Sequence, residues 1–196
     1  MKILLVVPLA LAALAASRTA PAPAPTPAAD TWSVDGTHTS VLFRVKHANA
    51  SNFYGMFKKA SGEFTFDAAK PEACKVELTI AADSIDTRDT KRDDHLRNPD
   101  FFDAKQFPDI KFTSSKIVKK GDTFEVTGEL AMHGKKAALT IPVTKTGEGE
   151  MQGKRLGLEA KFTIKRSDFG MSYGVAQKAL SDEIDLTIAI EGVQKK

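Results

Sequence analysis

Few side chains in this sequence are suited to acid–base or metal chemistry. The natural candidates are the four histidines, His38, His47, His95 and His133. None of them follows another at the H-x-H or H-x3-H spacing of a metal-binding motif, so the sequence predicts no metal site. His95 is the best candidate for a general base, because Asp93 and Asp94 precede it and a carboxylate can orient an imidazole. A histidine in so charged a segment more often has a hydrogen-bonding role in the structure, and both interpretations stay open.

The sequence contains none of the common catalytic motifs, since GxSxG, HExxH, CxxC, Walker-type and GxGxxG patterns are all missing from it. Asp168-Phe169-Gly170 matches the magnesium-binding triplet of kinases, but it lacks their partner motifs and therefore predicts a turn that leaves a long strand. We predict a protein that is not an enzyme and has no resident cofactor. The alternative is an enzyme that acts on a hydrophobic substrate through His47 or His95 and a nearby aspartate.

Charged and aromatic residues are concentrated in residues 86–112, a segment that we call the strap. Between residues 86 and 105 it contains six acids and five bases, and apolar residues occur from residue 96 onward: Asp86, Asp89, Asp93, Asp94, Asp100 and Asp103; Arg88, Lys91, Arg92, Arg97 and Lys105; Leu96, Phe101, Phe102, Phe107, Ile110 and Phe112. Arginines bind anions well, which makes an anion site one hypothesis. Because acids outnumber bases, pairing within the strap is the favoured one. We expect the apolar residues to matter more than the arginines for the role of the strap, so that Phe101→Asp should be more damaging than Arg92→Ala.

The elements that must position these residues are strands, because apolar residues alternate with polar ones from Asp30 onward. The pattern predicts eight or nine antiparallel strands, a loop at residues 53–56, and chain reversals at 120–122, 133–135 and 147–149. One short helical insertion is expected around residues 90–104. Its start resembles a capping box at Thr90 and Asp93, and it must end by Asn98 because Pro99 follows.

Strands with one apolar face hide it either by packing two sheets as a sandwich or by closing into a barrel. Two predicted strands each continue for nine residues, and closure removes the sheet edges that a secreted protein must otherwise protect. We therefore predict an all-β fold, an extended antiparallel eight-stranded lipocalin-like β-barrel, with the sandwich as the alternative. Long apolar inner faces also favour a ligand cavity over a solid core.

The beginning of the sequence differs from the rest. Residues 1–16 have the lone base, apolar run and small-x-small ending of a signal peptide, and residues 17–29 are rich in Ala and Pro, as in a linker. The barrel domain is expected to span residues 30–194. Without residues 1–29 the formal charge is +1, which is too balanced for a nucleic-acid-binding protein. The only cysteine, Cys74, cannot form an internal disulfide and is predicted to be a buried hydrophobic residue.

A set of ordered motifs resembles the YceI-like, lipocalin-like polyisoprenoid-binding family from residue 31 to residue 193. The matching motifs are residues 34–40 with Phe43 and His47, Gly55 and Phe57, RDDHLRNPDFFD at 92–103, Gly128, and residues 166–170. The resemblance implies an exported barrel whose interior takes a long isoprenoid, quinone-like or fatty chain, and it does not imply enzymatic activity. On this basis the protein is expected in the periplasm.

The expected ligand site combines an apolar pocket with polar groups at its mouth. The pocket residues are Phe43, Val45, Phe64, Phe66, Val76, Leu78, Phe101, Phe102, Phe112 and Phe124, and the polar contacts are His47, His95 and Arg97. The expected partner is a long-chain lipid. A transient contact with a membrane and a homodimer are left open.

Overall fold

Residues 29–195 of the computed structural model form one antiparallel sheet that closes on itself. Within these residues the sheet has eleven strand segments: β1 Asp30–Val34, β2 Ser40–His47, β3 Ser51–Phe57, β4 Ala60–Phe66, β5 Lys75–Ala81, β6 Ile85–Asp86, β7 Asp109–Lys120, β8 Thr123–Met132, β9 Lys135–Glu150, β10 Lys154–Lys165 and β11 Leu180–Gln194. The helix α1 spans Thr90–Leu96, and three 3-10 turns span Pro71–Ala73, Ala82–Ser84 and Arg166–Phe169. The predicted signal peptide and nearly all of the predicted linker lie outside the described residues.

The eleven segments occupy eight positions around a barrel, because three positions are interrupted strands. One edge of β11 pairs with β2 over residues 180–189 and with β1 over residues 192–194, so β1 and β2 follow one another along the same line. In the same way β3 and β4 lie end to end and share the next position of the barrel, where they pair with β2 and β1. The third interrupted position is shared by β5 and β6, which pair with β4 and β3. The pairing of β1 with β11 closes the ring. The predicted eight-stranded barrel is confirmed, and the sandwich alternative is wrong.

Alternation decides which side chains enter the barrel. In β8, Phe124, Val126, Leu130 and Met132 are buried, whereas Glu125 and its outward neighbours are not. This is the period-2 pattern expected of a strand with one face toward a core. Apolar burial on the inner side therefore drives closure of the sheet.

Two local predictions are wrong. Residues 53–56, predicted as a loop, lie in β3, where Gly55 pairs with Phe43; a Cβ atom at Gly55 would lie only 2.3 Å from the Phe43 ring. Gly55 therefore leaves room for the Phe43 ring within β3 and does not end the strand. Gly147 and Gly149, predicted to reverse the chain, lie within β9, and the reversal follows at residues 151–153, where Gln152 has φ 55° and Gly153 φ 122°.

The barrel has one packed end, which carries the turns at 121–122 and 151–153, and we call it the closed end. Trp32 stacks on Phe64 there with their ring centroids 6.3 Å apart. Phe66 meets the edge of Phe124 at 5.3 Å, next to buried Cys74. Burial raises the pKa of the Cys74 thiol, so that it behaves as a small apolar residue, as predicted.

The strap crosses the opposite, open end of the barrel. Its helix α1 begins one residue earlier than the capping-box prediction implied, because Asp89 is the N-cap and its carboxylate accepts a hydrogen bond from Arg92 N at 2.9 Å. The helix ends at Leu96, and the rest of the predicted insertion consists of turns. Within residues 29–195 no helix has the length and apolar character needed to cross a membrane.

Candidate functional site

A large cavity of about 470 Å³ extends from the open end into the barrel. Its wall consists mainly of aliphatic and phenylalanine side chains that point inward from the strands and the strap: Val41, Phe43, Val45, Phe57, Val76, Leu78, Ile80, Ile85, Leu96, Phe101, Phe102, Ile110, Phe112, Leu130, Leu139, Phe162, Ile184, Leu186, Ile188 and Ile190 among them. Such a wall offers no hydrogen bonds. It can hold an apolar chain but cannot orient a polar substrate along its length.

Seven of the ten residues predicted to line the pocket lie in the cavity wall: Phe43, Val45, Val76, Leu78, Phe101, Phe102 and Phe112. Phe64, Phe66 and Phe124 point inward as well, but they lie at the closed end. There they pack against Trp32, Cys74 and one another, because large rings fill the narrow end of the barrel. The deepest wall of the cavity therefore consists of Val76 and its aliphatic neighbours.

The side of the cavity formed by β9, β10 and β11 is missing from the predicted site. It is lined by Leu139, Phe162, Ile184, Leu186, Ile188 and Ile190. Their alternation identifies them as inward-facing in the sequence, so the signal was present. The prediction gave most weight to phenylalanines and therefore selected residues on the other side of the barrel.

Aromatic contacts hold the strap over the cavity. Phe102 packs edge-on against Phe57 of β3 at 5.3 Å, and Phe101 is only 6% exposed. Leu96, on the last turn of α1, also faces the cavity. The strap is therefore part of the cavity wall and not only a surface segment.

Arg97, predicted as a polar contact at the mouth, does not line the cavity. Its Nε donates to the carbonyl of Asp83 at 2.9 Å and its Nη2 to the carbonyl of Ile85 at 3.0 Å. Its Nη1 donates to Asp94 at 2.9 Å. Arg97 thus ties α1 to the turn after β5 and to β6. Its ion pair with Asp94 is the kind of pairing within the strap that the charge balance favours.

Arg92 takes the place in the wall that was predicted for Arg97. Its Nε donates to Thr87 Oγ1 at 2.8 Å and its Nη2 to the Thr87 carbonyl at 2.6 Å. Its guanidinium carbon lies 4.4 Å from the centroid of the Phe53 ring. Asp93 is buried and accepts from Thr87 N at 2.8 Å and from Thr87 Oγ1 at 2.5 Å, so it holds the threonine that holds Arg92.

His95 is part of an aromatic group at the mouth. Its ring meets Phe101 and Tyr173 edge-on, with each pair of centroids 5.1 Å apart. Its Nε2 lies 3.0 Å from the carboxylate of Asp100, and not from Asp93 or Asp94 as predicted. His95 and Asp100 could exchange a proton, but among the described residues no nucleophile is hydrogen-bonded to the pair. His47, the other predicted polar contact, also lines the cavity.

Arg166 closes the other side of the mouth. It is 5% exposed and donates to the carbonyls of Ser181, Met171 and Tyr173 at 2.9, 3.1 and 2.7 Å. Burial lowers the pKa of this guanidinium from its ordinary value. Arg166 therefore fixes the loop at residues 170–180, which carries Tyr173 to the mouth.

A second polar cluster lies away from the cavity, where β1 gives way to β2. Asp35, His38 and Glu191 bring three possible metal ligands together. Arg155 Nη1 lies between the carboxylates, 2.7 Å from Asp35 Oδ2 and 2.8 Å from Glu191 Oε1. Hydrogen bonds from His38 and Arg155 hold the pKa of Asp35 well below its usual range. The Arg155 guanidinium already supplies the positive charge that a metal ion would bring. The cluster is therefore a set of ion pairs that joins the end of β1 to β10 and β11.

A closed antiparallel barrel with a deep cavity, a wall that is mainly aliphatic and aromatic, and a few polar side chains at one mouth is the architecture of a lipocalin-like binding protein. The comparisons with known proteins agree with that class. The family model of the YceI-like domain matches residues 32–192. The chain belongs to the YceI-like family.

Relatives match most of the chain. Protein YceI of Escherichia coli O6:H1 (strain CFT073) is 41% identical over 164 residues, which make up 83% of this chain and 85% of that protein. Protein YceI of Salmonella newport (strain SL254) is 40% identical over the same share of both chains.

Solved structures have the same architecture. Burkholderia cenocepacia BcnA superposes with a TM-score of 0.74 at 30% identity, over 81% of this chain and 98% of that one. The Campylobacter jejuni YCEI protein gives 0.68 at 34% identity, over 77% and 90%. A polyisoprenoid binding domain from Saccharophagus degradans gives 0.65 over 84% and 98%, and at 14% identity it shows the fold alone.

Proposed function

We propose that this protein binds a long-chain amphiphile, an isoprenoid, quinone-like or fatty chain, inside its barrel and carries or sequesters it in the periplasm. The observation that carries the proposal is the apolar cavity of about 470 Å³ that is open at one end. The polyisoprenoid binding described for the Saccharophagus degradans domain supports the same ligand class. The signal-like pattern of residues 1–16 supports export.

The volume of the cavity limits the length of chain that it can take. A carbon of a liquid hydrocarbon needs about as much space as a water molecule, roughly 30 Å³. The cavity thus has room for about 16 chain carbons, or three isoprene units. A longer chain would extend through the mouth. Each buried methylene contributes about 0.8 kcal/mol, so affinity should rise with chain length until the cavity is full.

The rim of the mouth provides a surface for transient contact with a membrane. The β2–β3 tip at residues 47–51 lies beside the loop at 172–179, where Ala48 N donates to the carbonyl of Ala179 at 2.8 Å. Lys46, which precedes the tip, and Lys178, which lies in the loop, are both exposed, and neither the tip nor the loop contains an acid. One protomer encloses the whole cavity, so the proposed function does not require a homodimer.

Native mass spectrometry of protein purified without added lipid tests the proposal. We expect a mass that exceeds the polypeptide by one amphiphile, or uptake of one molecule when an isoprenoid or fatty acid is offered. A bare polypeptide that also refuses such ligands would refute the proposal. Protein unfolded and refolded in the absence of lipid serves as the control for adventitious binding.

The enzyme hypothesis rests on one observation, the His95–Asp100 pair beside the cavity. It predicts turnover of a hydrophobic substrate that disappears in His95→Ala while lipid uptake persists. The binding hypothesis predicts no turnover to lose.

A further inference from the structure

The cavity leaves one question that its apolar wall does not answer, namely which head group the amphiphile carries. The polar side chains that line it are concentrated at the mouth, where a head group would lie. Two arginines are among them, Arg92 on α1 and Arg166 at the end of β10. The two differ in how much of their hydrogen-bonding capacity is already used.

Arg166 has little left to offer a ligand. It is 5% exposed, and its Nε, Nη1 and Nη2 all donate to backbone carbonyls of the loop that it supports. An exposed ligand head cannot displace these contacts without releasing the loop. Arg166 is therefore a structural support.

Arg92 is exposed to solvent and lines the cavity at the same time, so it lies where the apolar wall meets water. It donates two hydrogen bonds, both to Thr87. A guanidinium has five N–H groups, so three remain, including both on Nη1. Within residues 29–195 no carboxylate forms an ion pair with Arg92, whereas Arg44, Arg97 and Arg155 all have such partners.

The surroundings of Arg92 fix its position without neutralising it directly. Phe53 covers one face of the guanidinium at 4.4 Å, and Thr87 accepts from Nε and Nη2 on one edge. The nearest acids in the chain have other roles, because Asp93 binds Thr87 and Asp89 caps the helix. An oriented guanidinium with a free edge is well suited to bind an anion with two parallel hydrogen bonds.

The geometry points to Arg92 as the head-group site, and we infer that the preferred ligand is a long-chain amphiphile with an acidic head, a carboxylate or a phosphate monoester. The inference rests on the proposed function and adds to it the class of ligand. The chain occupies the cavity and the head stays at the mouth, where Arg92 binds it. Family resemblance and charge balance gave no reason to choose this arginine over the others of the strap.

Three probes with the same chain test the inference: tetradecanoic acid, tetradecyl phosphate and tetradecan-1-ol, each measured at pH 8 by displacement of a fluorescent fatty-chain probe. Hydrogen bonds to a charged partner are strong enough that we expect at least one acidic probe to bind about tenfold more tightly than the alcohol. Whichever acidic probe shows the larger preference identifies the head group.

Arg92→Gln should remove that preference, so that the ratio of acidic-probe affinity to alcohol affinity falls to about one, and Arg92→Lys should retain part of it. Lys91→Gln, which removes a neighbouring exposed charge from the same helix, is the matched control and should keep the wild-type preference. Thermal melting confirms that each variant is folded.

Equal binding of all three probes by the wild type overturns the inference alone, as does an unchanged preference in Arg92→Gln. Failure of all three probes to bind overturns the proposed function itself. The two failures are therefore distinguishable in one experiment.

Discussion

A phenylalanine at position 160 should shorten the longest chain that the barrel can hold. Ala160 lines the cavity in the middle of β10, between Leu158 near the closed end and Phe162 nearer the mouth. Its neighbours across the sheet are Ile188 and Val143, which also line the cavity. A ring at this position is expected to project into the cavity and to occupy part of the space that the chain would fill.

The expected effect follows from volume. Phenylalanine is about 100 Å³ larger than alanine, which corresponds to three or four chain carbons at roughly 30 Å³ each. At about 0.8 kcal/mol per methylene, the loss for a chain that fills the wild-type cavity is about 3 kcal/mol, or roughly 100-fold in affinity. A chain short enough to end above the ring should lose almost nothing.

Saturated fatty acids of 10 to 18 carbons provide the assay, with affinity measured against chain length. We expect the wild type to gain affinity up to about 16 carbons and Ala160→Phe to stop gaining about four carbons earlier. Lys161→Phe, which adds the same ring on the outer face of β10, should behave as the wild type. A folded Ala160→Phe protein with the wild-type length profile would show that chains do not enter this part of the barrel.

Two other substitutions test the surroundings of the site. Asp35→Asn should lower the free energy of unfolding at pH 7. Because the folded-state pKa of Asp35 is depressed, the difference in unfolding free energy from the wild type should narrow as the pH falls below about 4. Denaturant unfolding at several pH values measures this difference, and a difference that stays constant would contradict the prediction. His95→Ala should lower the melting temperature by a few degrees, because it removes two edge-on aromatic contacts of about 0.5–1.5 kcal/mol each, while lipid uptake persists. Abolished uptake in a folded His95→Ala protein would contradict the view of His95 as a packing residue of the mouth.

The sequence is sufficient to predict the barrel because each long strand repeats one physical rule, apolar inside and polar outside. The rule identifies the inward faces of β8, β10 and β11 without knowledge of their neighbours. It does not reveal the interruptions, since whether β1 continues into β2 depends on pairing with β11, a contact between distant parts of the chain. Glycines misled the prediction for a related reason: Gly55 makes room for the Phe43 ring and Gly147 pairs with Gly157, and both lie within strands that they do not end.

The sequence also does not predict how deep along the barrel axis an inward-facing residue lies. Phe64 and Phe43 have the same inward orientation, yet Phe64 packs against Trp32 at the closed end and Phe43 lines the cavity. Alternation gives the face of a strand but not the position of the cavity floor. The position of the cavity floor depends on the level at which bulky rings from several strands meet. That level is set by the register in which the strands pair.

The choice between Arg92 and Arg97, in contrast, is contained in the helix itself. Residues three and four apart share a face of an α-helix, so Arg92, His95 and Leu96 fall on one side of α1, and all three line the cavity. Arg97 follows Arg92 by five residues, which places it about 140° away at 3.6 residues per turn. The short helix is therefore amphipathic in an unusual sense, because the face that it turns to the barrel carries a cation, an imidazole and a leucine. That combination matches the boundary of an amphiphile, where an apolar chain ends and a polar head begins.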